Sequence, residues 1–237
     1  MTAAVPAVLA RRNPVAKLVA ALVPTLALLT TLDPLTPALF LAAALAAVPL
    51  FGLRFTTLAR RGWPLLIGAA AIAVVQPLFG TGGPAAATGL GLRVLAVALP
   101  GILVFATTDP TDLADALVQN ARLPARFAIG TLAAFRLVPL LSDEWRLLTM
   151  ARRARGLDGR LRMFGSITFG LLVGAIRRGT RLATAMDARG FAAGVPRTYA
   201  RRASFGRADL ALIVAAVLLS VAIPAVSVAL GVFHPPY

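Results

Sequence analysis

Two Ala-Arg-Gly triplets, Ala154-Arg155-Gly156 and Ala188-Arg189-Gly190, are the residues of this chain best equipped for recognition. They close two segments, Leu148 to Leu157 and Leu182 to Phe191, that align without gaps at an offset of 34 residues and agree at five of ten positions. Arginine presents a planar fork of donors that fits a carboxylate. Ala151 lies one turn before Arg155, and Ala185 one turn before Arg189, so each small residue shares its arginine's face and permits close approach. Gly156 and Gly190 stand where a helix terminus takes positive φ. One such triplet is explained by capping alone, since an arginine in the last turn favours the helix dipole. Two copies with matched Leu and Ala upstream predict a paired docking device.

Catalytic chemistry finds little to work with. Asp112 and Asp115 are three apart, but they open a helix beside basic residues, and capping with local pairing accounts for them. The single histidine, His234, sits beside Pro235 and Pro236 near Tyr237 and reads as a surface residue, because a metal site needs several convergent ligands. With no cysteine there is no thiolate nucleophile and no Cys-ligated metal. The one lysine, Lys17, lies outside any Gly-x-x-x-x-Gly-Lys phosphate loop, so this chain is not itself an ATPase. The expectation is a non-enzymatic chain with no metal and no bound cofactor. Nucleic acid is not an expected partner either, since aromatics are not interleaved with the arginines as stacking platforms.

The elements that must position the triplets belong to a membrane protein. Of 237 residues, 59% are hydrophobic and only 14% charged, with a mean hydropathy of +0.83. A soluble fold carries roughly a quarter charged residues. Five apolar runs approach the length of about 20 residues that a span needs. They are about Leu18 to Leu32, Pro37 to Leu53, Trp63 to Phe79, Leu92 to Ala106 and Leu210 to Phe233. The first reads as a retained helix rather than a removable signal, because Pro24 interrupts it and no small-x-small site ends it. The chain is thus expected to be all-α, with about five transmembrane helices (range four to seven) plus cytoplasmic amphipathic coupling helices.

Charge sets the orientation. The net charge is +15, from 24 basic and 9 acidic residues. Arg11, Arg12 and Lys17 precede the first run, and Arg54, Arg60 and Arg61 follow the second. By the positive-inside rule both clusters and the Arg-rich middle are cytoplasmic, the turn Gly80-Thr81-Gly82-Gly83-Pro84 external, and the C-terminus external. Arg93 falls on the wrong side and is expected to snorkel. Three regions follow: 1–106, an N-terminal transmembrane domain; 107–208, an Arg-rich cytoplasmic or interfacial coupling region; and 209–237, a last transmembrane helix with a short tail.

Within the middle, Thr108 or Asp109 can cap a helix that has Pro110 in its first turn and runs to about Gln119. From Pro124 to Arg155, apolar stretches are broken by Arg136, Arg146, Arg152 and Arg153, the pattern of a long cytoplasmic or interfacial helix that Pro139 bends. Phe164 to Ile176 is too short for an upright span and continues to Ala188 as a second amphipathic helix. A sixth, irregular membrane segment is the competing reading of that piece.

At these residues the chain resembles the transmembrane T component of energy-coupling factor importers for vitamins and metal ions, a group that includes the cobalt importer's membrane subunit. The two Ala-Arg-Gly triplets carry the resemblance. Asn13-Pro14-Val15-Ala16-Lys17-Leu18 resembles the family's N-terminal signature, and Thr108-Asp109-Pro110-Thr111-Asp112-Leu113 the opening of its coupling region. Asp187 stands where members often have Glu. The resemblance implies a bacterial cell-membrane scaffold with two partner ATP-binding-cassette ATPases, identical or different, which use ATP. It also implies one small substrate-binding membrane subunit, the S component, with the cargo a vitamin or a metal ion. A membrane enzyme acting on lipid substrates and a stand-alone transporter or channel are the alternatives. Both lack support from converging acidic residues in the apolar runs.

Overall fold

A computed structural model describes residues 8–31, 33–79, 83–156, 160–191, 193 and 198–231. Every regular element among them is helical: α1 (Pro14–Leu28), α2 (Leu35–Ala47), α3 (Phe55–Phe79), α4 (Gly83–Ala106), α5 (Pro110–Gln119), α6 (Ala125–Ala154), α7 (Arg160–Ala188) and α8 (Arg207–Ala229), with a 3-10 turn at Pro49–Phe51. The chain forms two compact units, Met1–Arg122 with Ala203–Tyr237, and Leu123–Arg202.

In the first unit, Asn13 starts α1 by accepting the Val15 N–H at 2.9 Å, with Pro14 in the first turn where its missing N–H costs nothing. Helix α4 packs against α1, α2 and α3, and α8 packs against α1 and α2. Leu28, Phe40, Ala96 and Ile223 form one core cluster, and Val48, Leu58, Leu99 and Leu103 another. Gly91 lets α3 and α4 approach, since a Cβ there would lie 3.1 Å from the Ala69 carbonyl oxygen. Outward, Trp63, Leu66, Val74 and Leu78 of α3 and Leu218 and Val221 of α8 are exposed. In water such a surface would aggregate; in lipid it is solvated. The protein is an all-α, multi-pass integral membrane protein.

The number of spans departs from the expected five. Among the described residues three helices are long and apolar enough to cross a membrane: Ala87–Ala106, Ala125–Ala154 and Arg207–Ala229. Pro14–Leu28, Leu35–Phe51 and Gly62–Leu78 are shorter apolar helices. Two of the five expected runs therefore reach full length, and α6, read as cytoplasmic or interfacial from its arginines, is the third long helix. The reason is charge placement. Residues 127–141 of α6 carry one charge, Arg136, while Arg146, Arg152 and Arg153 crowd into its last turns. Pro139 lies inside α6 without ending it.

Arg93 does not need to snorkel. Its guanidinium donates to the Leu28 carbonyl at the end of α1, where the helix dipole is negative. The turn before α2 is held similarly: Asp33 Oδ2 accepts from Thr36 N–H at 2.8 Å, Thr36 Oγ1 at 2.7 Å and Ser227 Oγ at 2.7 Å, tying this turn to α8. Burial pushes the Asp33 carboxyl up, but the hydrogen bonds from Thr36 and Ser227 outweigh it and hold the group below its ordinary value. Residues 80–82 of the expected external turn, and His234, lie outside the described residues.

Candidate functional site: two arginine-bearing helix ends

Both triplets terminate helices of the second unit. Ala154 is the last residue of α6, Arg155 follows it, and Gly156 takes φ +68°. Ala188 is the last residue of α7, Arg189 follows, and Gly190 takes φ +76°. At the second end the Gly190 N–H donates to the Asp187 carbonyl at 2.9 Å and the Phe191 N–H to the Met186 carbonyl at 3.0 Å. That pair of bonds is a Schellman motif, which satisfies the carbonyls that a helix end leaves open. At the first end the Gly156 N–H donates to the Arg153 carbonyl at 3.0 Å, the equivalent of the Gly190 bond. Leu157, the counterpart of Phe191, lies outside the described residues.

The termination also fixes how the arginines are offered. Each sits between the last helical residue and a left-handed glycine, so the chain turns away after it. Arg155 and Arg189 are exposed, as are Ala151, Ala154, Ala185, Asp187 and Ala188. Small exposed neighbours leave each guanidinium free to enter a groove.

Their spacing follows from α7. Its 29 residues rise about 43 Å at 1.5 Å each. Arg155 precedes the first residue of α7 by five positions, and Arg189 follows its last. The Cα atoms of the two arginines therefore stand at opposite ends of one helix, at least roughly 25 Å apart after allowing for the extended reach of the link. One small acidic pocket cannot take both.

Helix α7 is locked against α6 by polar and aromatic contacts. Arg178 and Glu144 pair at 2.7 Å, and Arg152 donates to Ser166 Oγ. Trp145 meets Phe164 edge to face, with centroids 5.4 Å apart. Gly174 marks the close approach, its Cβ direction lying 3.6 Å from Glu144 Oε1. Sequence reasoning did not single out Glu144 or Arg178, because an ion pair across helices has no local signature. Outside this seam the unit exposes Phe127, Phe135, Leu147, Phe169 and Ile176.

The remaining positions of the sequence reading fall in the first unit. Pro14 and Lys17 lie in the first turns of α1. Asp109 caps α5, its Oδ1 accepting the Thr111 N–H at 2.7 Å, and Pro110 is the first residue of that helix. Lys17 is 2% exposed, and its Nζ donates to the carbonyls of Ala10 at 2.6 Å and Thr107 at 3.0 Å.

The glycine geometry yields a local prediction. Gly190→Ala places a side chain at φ +76°, which costs about 1 kcal/mol. The Phe191 amide, bonded across the cap, is expected to exchange with solvent roughly fivefold faster by NMR or mass spectrometry. Unchanged exchange would show that the cap does not hold this end.

The cobalt transport protein family CbiQ matches residues 5–200. The energy-coupling factor transporter transmembrane protein EcfT of Limosilactobacillus fermentum is 32% identical over 143 residues, covering 54% of this chain and 54% of that protein. The EcfT protein of Exiguobacterium sibiricum is 33% identical over 131 residues, covering 49% and 50%. That of Bacillus subtilis is 28% identical over 145 residues, covering 55% of each. The chain spans about half the length of these curated relatives.

Proposed function

The chain belongs to the cobalt transport protein family CbiQ, and from that premise we propose that it is the transmembrane energy-coupling subunit of an energy-coupling factor importer. Two cytoplasmic ABC ATPases hydrolyse ATP, and this chain carries their movement to a substrate-binding membrane subunit that holds a vitamin or a metal ion. The chain itself performs no chemistry.

The observation that carries this reading is the pair of exposed arginines at opposite ends of α7, each behind a left-handed glycine. Each fork docks into an acidic groove on one ATPase, and the separation of the ends matches two docking points rather than one. Ala151 and Ala185 allow the groove wall to come close, and Asp187 orients the second end. When the ATPases close on ATP, the two ends are displaced, and the locked α6–α7 pair passes the displacement on as a body. The regions 1–106, 107–208 and 209–237 then divide the work into membrane anchoring, coupling and a final membrane helix.

Docking requires Arg155 and Arg189 to face the cytoplasm, as the positive-inside rule expects of the Arg-rich middle. A cysteine reporter tests this cleanly because the native chain has none. In intact cells, Thr81→Cys is expected to react with a membrane-impermeant maleimide and Thr180→Cys to react only after permeabilisation. Labelling of Thr180→Cys from outside would put the coupling region out of reach of ATP and end the proposal.

A further inference from the structure

The chain passes between its two units twice, outward after Arg122 and back before Ala203. On the first unit these two crossings are fastened to each other and to the start of α1. Gln119, the last residue of α5, accepts the Ala203 N–H on its Oε1 at 2.9 Å. Asn13 Nδ2 donates to the Ser204 carbonyl at 3.0 Å. The Asn13 N–H donates to Asp209 Oδ1 at 2.9 Å, and Asp209 Oδ2 accepts the Gly206 N–H at 2.8 Å. Lys17 completes the cluster from α1, reaching the Thr107 carbonyl and, at 3.5 Å, Thr108 Oγ1 just ahead of α5. Asp112 and Asp209 both lie within electrostatic reach of its ammonium.

These groups are buried: Asn13 is 5%, Lys17 2% and Asp209 6% exposed. Buried charges and amides are costly without partners, and each has one or more here. The outward crossing also carries Arg122 at φ +54°, a left-handed conformation that residues other than glycine avoid, so the chain bends sharply as it leaves α5.

We infer that Asn13, Lys17, Gln119 and Asp209 are positioning residues that clasp both crossings to α1 and α8, so that displacement of Leu123–Arg202 is delivered to the membrane bundle instead of being taken up in the links. The inference rests on the coupling role proposed above. Loose links would take up the second unit's displacement as slack. Fastened at one place, they pass load into α1 and α8, which pack directly on each other. The clasp stays closed while it works.

The test uses the chain purified with its ATPases, followed by hydrogen exchange before and after Mg2+ and a non-hydrolysable ATP analogue. In the native complex, nucleotide is expected to change exchange both within residues 123–202 and at residues 10–17 and 203–209. With Asn13→Ala and Gln119→Leu together, the change within 123–202 is expected to remain and the change at 10–17 to be lost. Gln119→Glu, which keeps the accepting oxygen beside a native Asn13, is expected to respond like the native chain. A response at 10–17 that survives the double substitution overturns the clasp. A native complex with no response anywhere in the chain overturns the coupling role itself, so the two failures are distinct. Gln119→Cys with Ala203→Cys, joined by a short bismaleimide, covers the case in which the double variant does not fold. The joined form is expected to keep the full response, and loss of the response on joining would show that the clasp must open.

Discussion

Replacing both Arg155 and Arg189 by alanine is expected to release the ATPases from this chain while leaving it folded in the membrane. Each arginine is exposed at a helix end, and its hydrogen bonds among the described residues are made by its backbone, which alanine keeps. In the proposed docking the loss falls on the partner, whose groove carboxylates are left without a donor. Truncating one side of a buried charge pair costs about 2–5 kcal/mol. In affinity that is roughly 30- to 5,000-fold per site. Either single substitution is expected to weaken attachment or uncouple hydrolysis from movement, and the double substitution to do more than either. Lysine at these positions is expected to restore part of the binding, because it keeps the charge and loses the fork. Arg177→Ala, on the exposed surface of α7, is the comparison and is expected to change little. Pull-down of the ATPases in mild detergent measures all of these. A double variant that retains both ATPases would reduce the triplets to helix caps.

Lys17→Met is expected to have the second large effect, on stability instead of docking. Methionine matches the length of the stem, so little cavity results. What disappears is the donor for the Ala10 and Thr107 carbonyls and the cation facing Asp112 and Asp209. Leaving the two buried carbonyls without their donor costs about 1–3 kcal/mol each. For a chain of this size the melting temperature in detergent falls by about 10 °C. An unchanged melting temperature would show that water reaches these groups and that the buried network is not holding α1 to the start of α5.

Both predictions concern residues visible in the sequence, but for different reasons. The arginine triplets are local features: a helix end with glycine after it is encoded within a few residues, and the 34-residue echo exposed the pairing. Asp109 as the cap of α5 was readable in the same way. The buried bonds of Lys17 were not legible, since its partners lie 7 and 90 residues away and no periodicity points to them; the sequence offered it only as a flanking charge and as part of a resemblance. Arg93 looked misplaced because a count of charges per side ignores tertiary partners, and the end of α1 turned out to be its partner. The length and apolarity of α6 were hidden for a related reason. Summing arginines over 30 residues hid the fact that most of them lie at one end. The contacts that lock α6 to α7, Glu144 with Arg178 and Trp145 with Phe164, join positions whose pairing depends on how two helices meet. Such contacts are set by packing and leave no pattern in either helix alone.

If this chain links two ATPases to a membrane partner, all of them leave the native membrane together as one complex. The chain, tagged and extracted in mild detergent, would be weighed by native mass spectrometry together with whatever accompanies it. One copy of this chain is expected with two ATP-binding subunits and one small membrane protein, the ATP-binding subunits leaving when Arg155 and Arg189 are both alanine. A chain that travels alone, or with membrane proteins but no ATP-binding subunit, would contradict the coupling role.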